Sequence, residues 1–201
     1  MDKISYALGM SIAQSLAQSG VTSLTIEDFA AAVKVSLEGG KPALSFDEAG
    51  SVLDEYFQKL QEKQAEESAR LGAQFKKEGE DFLAANAKKE GVVVLPSGLQ
   101  YKVIKEGSDR MATRTSKVRC HYEGRFINGD VFDSSYKRGV PAEFGVTQVI
   151  KGWTEALQLM GEGAKWELYI PYNLAYGEAG AHGSIPPYSC LVFTVEVIKV
   201  L

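Results

Sequence analysis

Val131-Phe132-Asp133-Ser134-Ser135, then Gln148-Val149-Ile150-Lys151-Gly152-Trp153, then Ala175-Tyr176-Gly177, mark the stretch around which this 201-residue chain is organised. Aromatic residues recur where a small apolar pocket needs walls: Tyr122, Phe132, Trp153 and Tyr176, joined by Phe193 from the last apolar run. No acid, base or metal-binding cluster accompanies them. The chain has no Gly-x-Ser-x-Gly elbow and no His-Glu-x-x-His pair, and its histidines are His121 and His182, so hydrolysis and metal catalysis lack their residues. Asp133 beside Ser134 and Ser135 has no histidine placed to complete a nucleophile, and turn hydrogen bonding accounts for the trio. His121 alternates opposite Tyr122, the position of a surface or sheet-edge side chain.

Outward from this centre the pattern has period 2. Residues 92–95, 99–105 and 117–126 read as strands, with Val118, Cys120 and Tyr122 on one face. Asn128-Gly129 is a two-residue hairpin signal that returns the chain into Val131-Phe132. Residues 153–160 are apolar on one side and end at Gly161, which makes them a short helix on the sheet. Residues 164–170 and 191–200 supply two more long strands. The expectation is an antiparallel half-barrel wrapped on one helix, occupying residues 92–201.

Before Gly91 the period is 3.6. Ile4, Leu8, Ile12 and Leu16 form one helical stripe that stops at Gly20, and Thr25 stands as the N-cap of a second helix ended by Gly39-Gly40. Ser45 and Glu48 have capping-box spacing, and no proline follows until Pro96, so a third helix can run to about Lys89. About 45 helical residues would measure roughly 67 Å, longer than a small domain is wide. Residues 61–70 contain no large apolar side chain and read as a solvated rod, with Gly72 and Gly79 as places for bending. The apolar surface before Leu60 exceeds what one short bundle hides, which calls for a second copy of the chain, most simply in a symmetric dimer. The competing reading is a monomeric helical appendage. The domains expected are 1–44, a helical dimerisation region; 45–91, a long helix that begins in the dimer core and ends as a linker; and 92–201. A fragment from Val92 onward holds every pocket residue and is expected to fold alone.

The net charge is −4, with 15 acidic and 10 basic residues in 1–91 against 11 and 12 in 92–201. Neither half has the basic face that nucleic-acid binding needs. No run is long and apolar enough to cross a membrane. Met1-Asp2-Lys3 and the interruptions at Ser5, Ser11 and Ser15 do not match a secretory signal, so a cytoplasmic protein is expected, with a trimmed periplasmic form as the alternative. Cys120 and Cys190 lie in apolar runs and read as small core residues.

The motifs quoted above, with Ile185-Pro186-Pro187 after them, resemble in order and spacing the FKBP family of macrolide-binding peptidyl-prolyl cis-trans isomerases over residues 92–201. An all-α arm before such a domain resembles the macrophage infectivity potentiator group, whose members dimerise through N-terminal helices. The resemblance implies an α+β protein: an all-α dimerisation region with a long connecting helix, then the half-barrel. It implies no cofactor and no metal. Trp153 becomes the floor under the substrate proline, and Tyr122, Phe132, Val149, Ile150 and Phe193 become walls. The Ile150 N–H and Tyr176 hydroxyl hold carbonyl groups, Asp133 sits at the pocket edge with Arg138 as its ion-pair partner, and Ala181 and Ile185 border the substrate from the loop 180–185. That loop departs from the common family pattern: Ala181 stands where a histidine is frequent, His182 is shifted by one place, and Ser184 replaces a larger apolar residue. Ala142 stands where some members carry an aromatic. A smaller, more polar rim should grip the residue before proline less tightly.

The implied partners are proline-containing polypeptides, macrolide inhibitors and a second copy of the chain, without nucleic acid or membrane. Two other functions stay open: a holdase chaperone that recognises proline with incidental turnover, and an interaction module with an inactive pocket.

Overall fold

The computed structural model describes residues 1–181 and 183–201; His182 of the rim loop lies outside the described residues. The chain divides into two compact units, Met1–Glu66 and Glu67–Leu201.

In the first unit, α1 (Lys3–Gln18) starts where the Asp2 carboxylate accepts the Ser5 N–H at 2.8 Å, satisfying one of the donors that a helix start leaves free. Helix α2 (Ile26–Leu37) has Thr25 at its N-cap position without a side-chain bond, and Glu27 and Asp28 complement its first turn instead. The capping box of α3 (Phe46–Asn86) is present: Ser45 N–H donates to Glu48 Oε2 at 2.8 Å, and Glu48 N–H donates to Ser45 Oγ at 3.2 Å. No residue of α1 or α2 is buried.

Helix α3 continues into the second unit. Residues 61–70 are all exposed, as a solvated rod should be. Beyond them, the less exposed positions Gly72, Phe75, Gly79, Phe82 and Asn86 recur three and four residues apart and so share one helix face. This face lies on the sheet-bearing unit. A Cβ on Gly72 would sit 2.9 Å from Tyr188 Cδ2, and one on Gly79 would sit 2.8 Å from Cys190 Cβ, closer than packed carbons come. The two glycines therefore have a packing role in place of the expected bending role. Phe82 meets Tyr169 with ring centroids 6.1 Å apart. The buried Asn86 amide donates to Gln100 Oε1 at 3.0 Å, and Gln100 Nε2 returns a bond to the Leu83 carbonyl at 2.9 Å.

The rest of the second unit is an antiparallel seven-stranded sheet in the order β1-β2-β6-β7-β3-β4, with β5 also on β3. Its strands are β1 (Val92–Val94), β2 (Gln100–Lys105), β3 (Lys117–Phe126), β4 (Val131–Ser134), β5 (Ala142–Gly145), β6 (Lys165–Ile170) and β7 (Leu191–Val200). Helix α4 (Ser135–Arg138) links β4 to β5, and α5 (Lys151–Leu157) packs on the sheet. Fully buried Val118, Leu157, Leu168, Ile170, Leu191 and Val195 make the core between α5 and the strands. Both cysteines are free and buried, and burial pushes each thiol up to about 12.

Strand β5 was not among the sequence expectations. At four residues between Pro141 and Val146 it is too short to show alternation. It shares one edge of β3 with β4: β5 pairs with residues 117–120 and β4 with 123–125. Tyr122 falls in the gap. There the buried Ser135 hydroxyl replaces a strand, accepting the Tyr122 N–H at 2.7 Å and donating to the Tyr122 carbonyl at 3.1 Å. His121 on this central strand is not at a sheet edge. Its Nδ1 lies 3.0 Å from Ser135 Oγ and its ring stacks on Tyr136 at 4.7 Å.

Candidate active site

The aromatic residues singled out in the sequence converge on one cavity of about 410 Å³. Tyr122, Phe132, Asp133, Val149, Ile150, Trp153, Tyr176 and Phe193 line it, together with Phe144 and Gln148. Phe144 on β5 was missed with its strand. Gln148 stood in a quoted motif without a role.

Trp153, in the first turn of α5, forms the floor. Tyr122, Phe144 and Phe193 meet it edge-on at 5.4, 5.6 and 5.4 Å, with interplanar angles of 83°, 82° and 88°. Edge-to-face packing puts the positive rim of one ring on the negative face of the other, worth about 0.5–1.5 kcal/mol per pair beyond area burial. The floor is thus fixed from three sides. Register explains the wall: Gly124 on β3 faces Phe193 on β7 and Asp133 on β4. A Cβ at Gly124 would lie 2.6 Å from Phe193 Cε1 and 2.7 Å from Phe132 Cζ, so only hydrogen lets Phe132 and Phe193 close to their edge-on 5.6 Å.

The polar edge is equally constrained. The Tyr122 hydroxyl donates to Asp133 Oδ2 at 2.5 Å and accepts from Arg138 Nη2 at 2.8 Å. Arg138 Nη1 forms an ion pair with Asp133 Oδ1. Arg138 is aimed by α4, which Ser134 Oγ caps at its start and Gly139, in the left-handed region at φ 71°, ends after one turn. Burial raises the Asp133 pKa, but the Tyr122 hydroxyl and the Arg138 guanidinium outweigh it and hold the carboxylate below its ordinary range. Tyr122 goes the other way, raised by burial and by the adjacent carboxylate. Asp133 is therefore an anchored anion rather than a proton donor near neutrality.

Among the described residues, the polar groups open to a ligand include the Ile150 N–H and the Tyr176 hydroxyl. The Ile150 N–H has no protein acceptor among the described residues, and the Tyr176 side chain lies at the mouth, 40 % exposed. Arg138 reaches the cavity only through Tyr122 and Asp133. Ala181 and Ile185 do not line it: they bond to each other, Ala181 N–H to the Ile185 carbonyl at 2.9 Å and the reverse at 3.0 Å, and Ile185 is buried in the core.

Comparison with known proteins agrees with this architecture. Residues 108–198 match the family described as FKBP-type peptidyl-prolyl cis-trans isomerase, and residues 1–103 match the domain amino terminal to it. The FKBP-type 22 kDa peptidyl-prolyl cis-trans isomerase of Escherichia coli K12 is 46 % identical over 98 % of this chain and 94 % of its own length. Outer membrane protein MIP of Legionella longbeachae is 38 % identical over 99 % of this chain and 85 % of its own. The crystal structure of FkpA from Escherichia coli superposes with a TM-score of 0.78 at 33 % identity, covering 98 % of this chain and 95 % of that one. With both regions matched and the relatives aligned nearly end to end, the chain belongs to the FKBP-type peptidyl-prolyl cis-trans isomerases, in the group of FkpA and Mip.

Proposed function

We propose that the Trp153 cavity is the active site, where X-Pro bonds of unfolded or partly folded proteins rotate without any covalent step. The observation that carries this is the indole floor held edge-on by three aromatic rings, a flat platform broad enough for a proline ring inside an apolar wall. The barrier to rotation, about 18–20 kcal/mol, reflects lost amide resonance. A millionfold acceleration requires lowering it by roughly 8 kcal/mol. The planar amide is more dipolar than the twisted one, so a water-excluding pocket disfavours the ground state more. The Ile150 N–H and the Tyr176 hydroxyl hold the flanking carbonyls, and Asp133, locked by Tyr122 and Arg138, keeps the pocket edge rigid. The volume falls within the range of small-molecule sites, which supports macrolide inhibition as well. The test is the cis-to-trans rate of an X-Pro peptide with catalytic amounts of protein: acceleration abolished by Phe132→Ala supports the assignment, and full activity in that variant removes it.

The helical unit supports a second part of the reading. Ile4, Leu8 and Met10 of α1 are 73 %, 60 % and 62 % exposed, a large uncovered apolar surface for one chain. A second copy covers it, giving a homodimer with chaperone activity, because two linked weak sites raise the effective concentration of a long substrate. The same surface favours the alternative of a proline-recognising holdase with incidental turnover. Refolding assays with Phe132→Ala separate them, since a holdase keeps suppressing aggregation when turnover is lost. A cytoplasmic location finds no support among the relatives, one of which is named an outer membrane protein; no helix of this chain is long and apolar enough to cross a membrane among the described residues. Fractionation of the native cells settles the compartment.

A further inference from the structure

The turn that carries Tyr176 is held from two directions. Its own start holds it on one side, where the Tyr172 carbonyl accepts the N–H of Ala175 at 3.1 Å and of Gly177 at 2.8 Å. On the other, the Tyr188 N–H donates to the Gly177 carbonyl at 3.1 Å. Tyr188 is the only non-glycine residue with positive φ among the described residues, at 56°, a conformation that costs a bulky side chain strain and persists only where its surroundings over-determine it. Its neighbours supply that constraint. The Tyr188 ring packs edge-on against Tyr172 at 5.1 Å. Lys76 of α3 places its ammonium 6.0 Å from the Tyr188 centroid and 5.8 Å from that of Tyr172. Beneath them, Gly72 leaves the ring its room, since a Cβ there would come within 2.9 Å of Tyr188 Cδ2. Helix α3 thus fixes a ring, the ring fixes a strained backbone, and that backbone holds the residue next to Tyr176.

We propose that Tyr188, seated on Gly72 of α3, is a positioning residue that sets the Tyr176 hydroxyl at the mouth of the cavity. The proposal rests on the reading above in which that hydroxyl holds a substrate carbonyl. It gives the second half of the long helix a part in turnover without any contact with substrate.

A double-mutant cycle on the full-length protein tests it, with kcat/KM for an X-Pro peptide as the readout. Tyr188→Ala should lower kcat/KM about fivefold in the parent but by less than about twofold in a Tyr176→Phe background, because residues acting through one another are non-additive. Tyr188→Phe, which keeps the ring on Tyr172 and Gly72, should retain most of the parent rate. Gly72→Ala, which favours the helix and is expected to fold, should push the ring aside and lower the rate about twofold, again only when the Tyr176 hydroxyl is present; this arm decides the matter if Tyr188→Ala does not fold. An equal loss in both backgrounds overturns the proposal, as does full activity of Tyr188→Ala and Gly72→Ala when Tyr176→Phe is impaired. Full activity of Tyr176→Phe overturns the underlying site reading, and the positioning role with it.

Discussion

The two units bury their apolar residues to very different degrees. In Met1–Glu66, neither α1 nor α2 has a buried residue, and Ile4, Leu8, Phe29, Val33, Val52 and Leu53 all face outward. In Glu67–Leu201, Leu99, Leu157, Met160, Leu168, Ile170 and Leu191 are wholly enclosed. Both units form regular secondary structure, so local structure does not make the difference. What differs is closure: the sheet and α5 bury one another, whereas the N-terminal helices have amphipathic faces and too little of their own to cover them. One helix belongs to both regimes. The first part of α3 repeats the open pattern, and its last turns are an integral cover of the sheet unit.

The contrast can be broken by mutation, and the largest effect lies in the closed unit. Leu168→Ala should cost about 2–5 kcal/mol in a denaturant melt, through lost transfer energy and the cavity left behind, while Leu8→Ala, 60 % exposed, should stay within about 0.5 kcal/mol in a dilute, unpaired chain. Next comes the boundary. A fragment of residues 67–201 should match the full chain in peptide turnover, and one of residues 92–201 should be less stable by at least about 3 kcal/mol, the scale of one packed phenylalanine, since it lacks Phe82, Asn86 and the cover over Cys190. Equal melts for the two would mean that the helix cover is incidental and restore the expectation of a complete domain from Val92.

Function should split along the same line. Asp133→Leu is expected to lower peptide isomerisation more than about tenfold, or about 1.4 kcal/mol, at unchanged molecular mass. Glutamine at Ile4, Leu8 and Ile12 together should halve the mass by light scattering, leave peptide turnover within about twofold, and weaken proline-limited refolding several-fold more, by loss of effective concentration. The smallest effect is on pH. Asp133 is depressed in the fold, so its ion pair contributes stability that is fully present above the unfolded value of about 3.9 and is lost as pH falls through the folded value. The stability gap between the parent and Asp133→Asn should be level above about pH 5 and close below that range. Because the carboxylate is 40 % exposed, screening keeps the gap small.

Much of this was legible in the residues. Strands β3 and β7 announced themselves by alternation, Ser45 and Glu48 by capping spacing, and the cavity by aromatics that no catalytic cluster accompanied. The docking face of α3 was not legible, for a physical reason. Three of its positions are Gly72, Gly79 and Asn86, so a close-packed face shows only Phe75 and Phe82 as large apolar residues, and what looks like weak helix is tight contact. Phe144 was lost with a strand too short to alternate. Ala181 and Ile185 were placed by family likeness alone, and the structure gives them to a turn of their own. Tyr188 had no local signal at all, because its role comes from what lies across from it in space.

The burial of Cys190 under Gly79 gives the molecule a chemical clock. A thiol pushed up to about 12 by burial is almost wholly protonated and unreactive, so an alkylating reagent must wait until α3 lifts from the sheet. Cys120, wholly buried in the inner core beside β7, waits for a deeper event. The two labelling rates therefore time separate openings of one chain, and their ratio measures how much more often the helix is released than the sheet is undone.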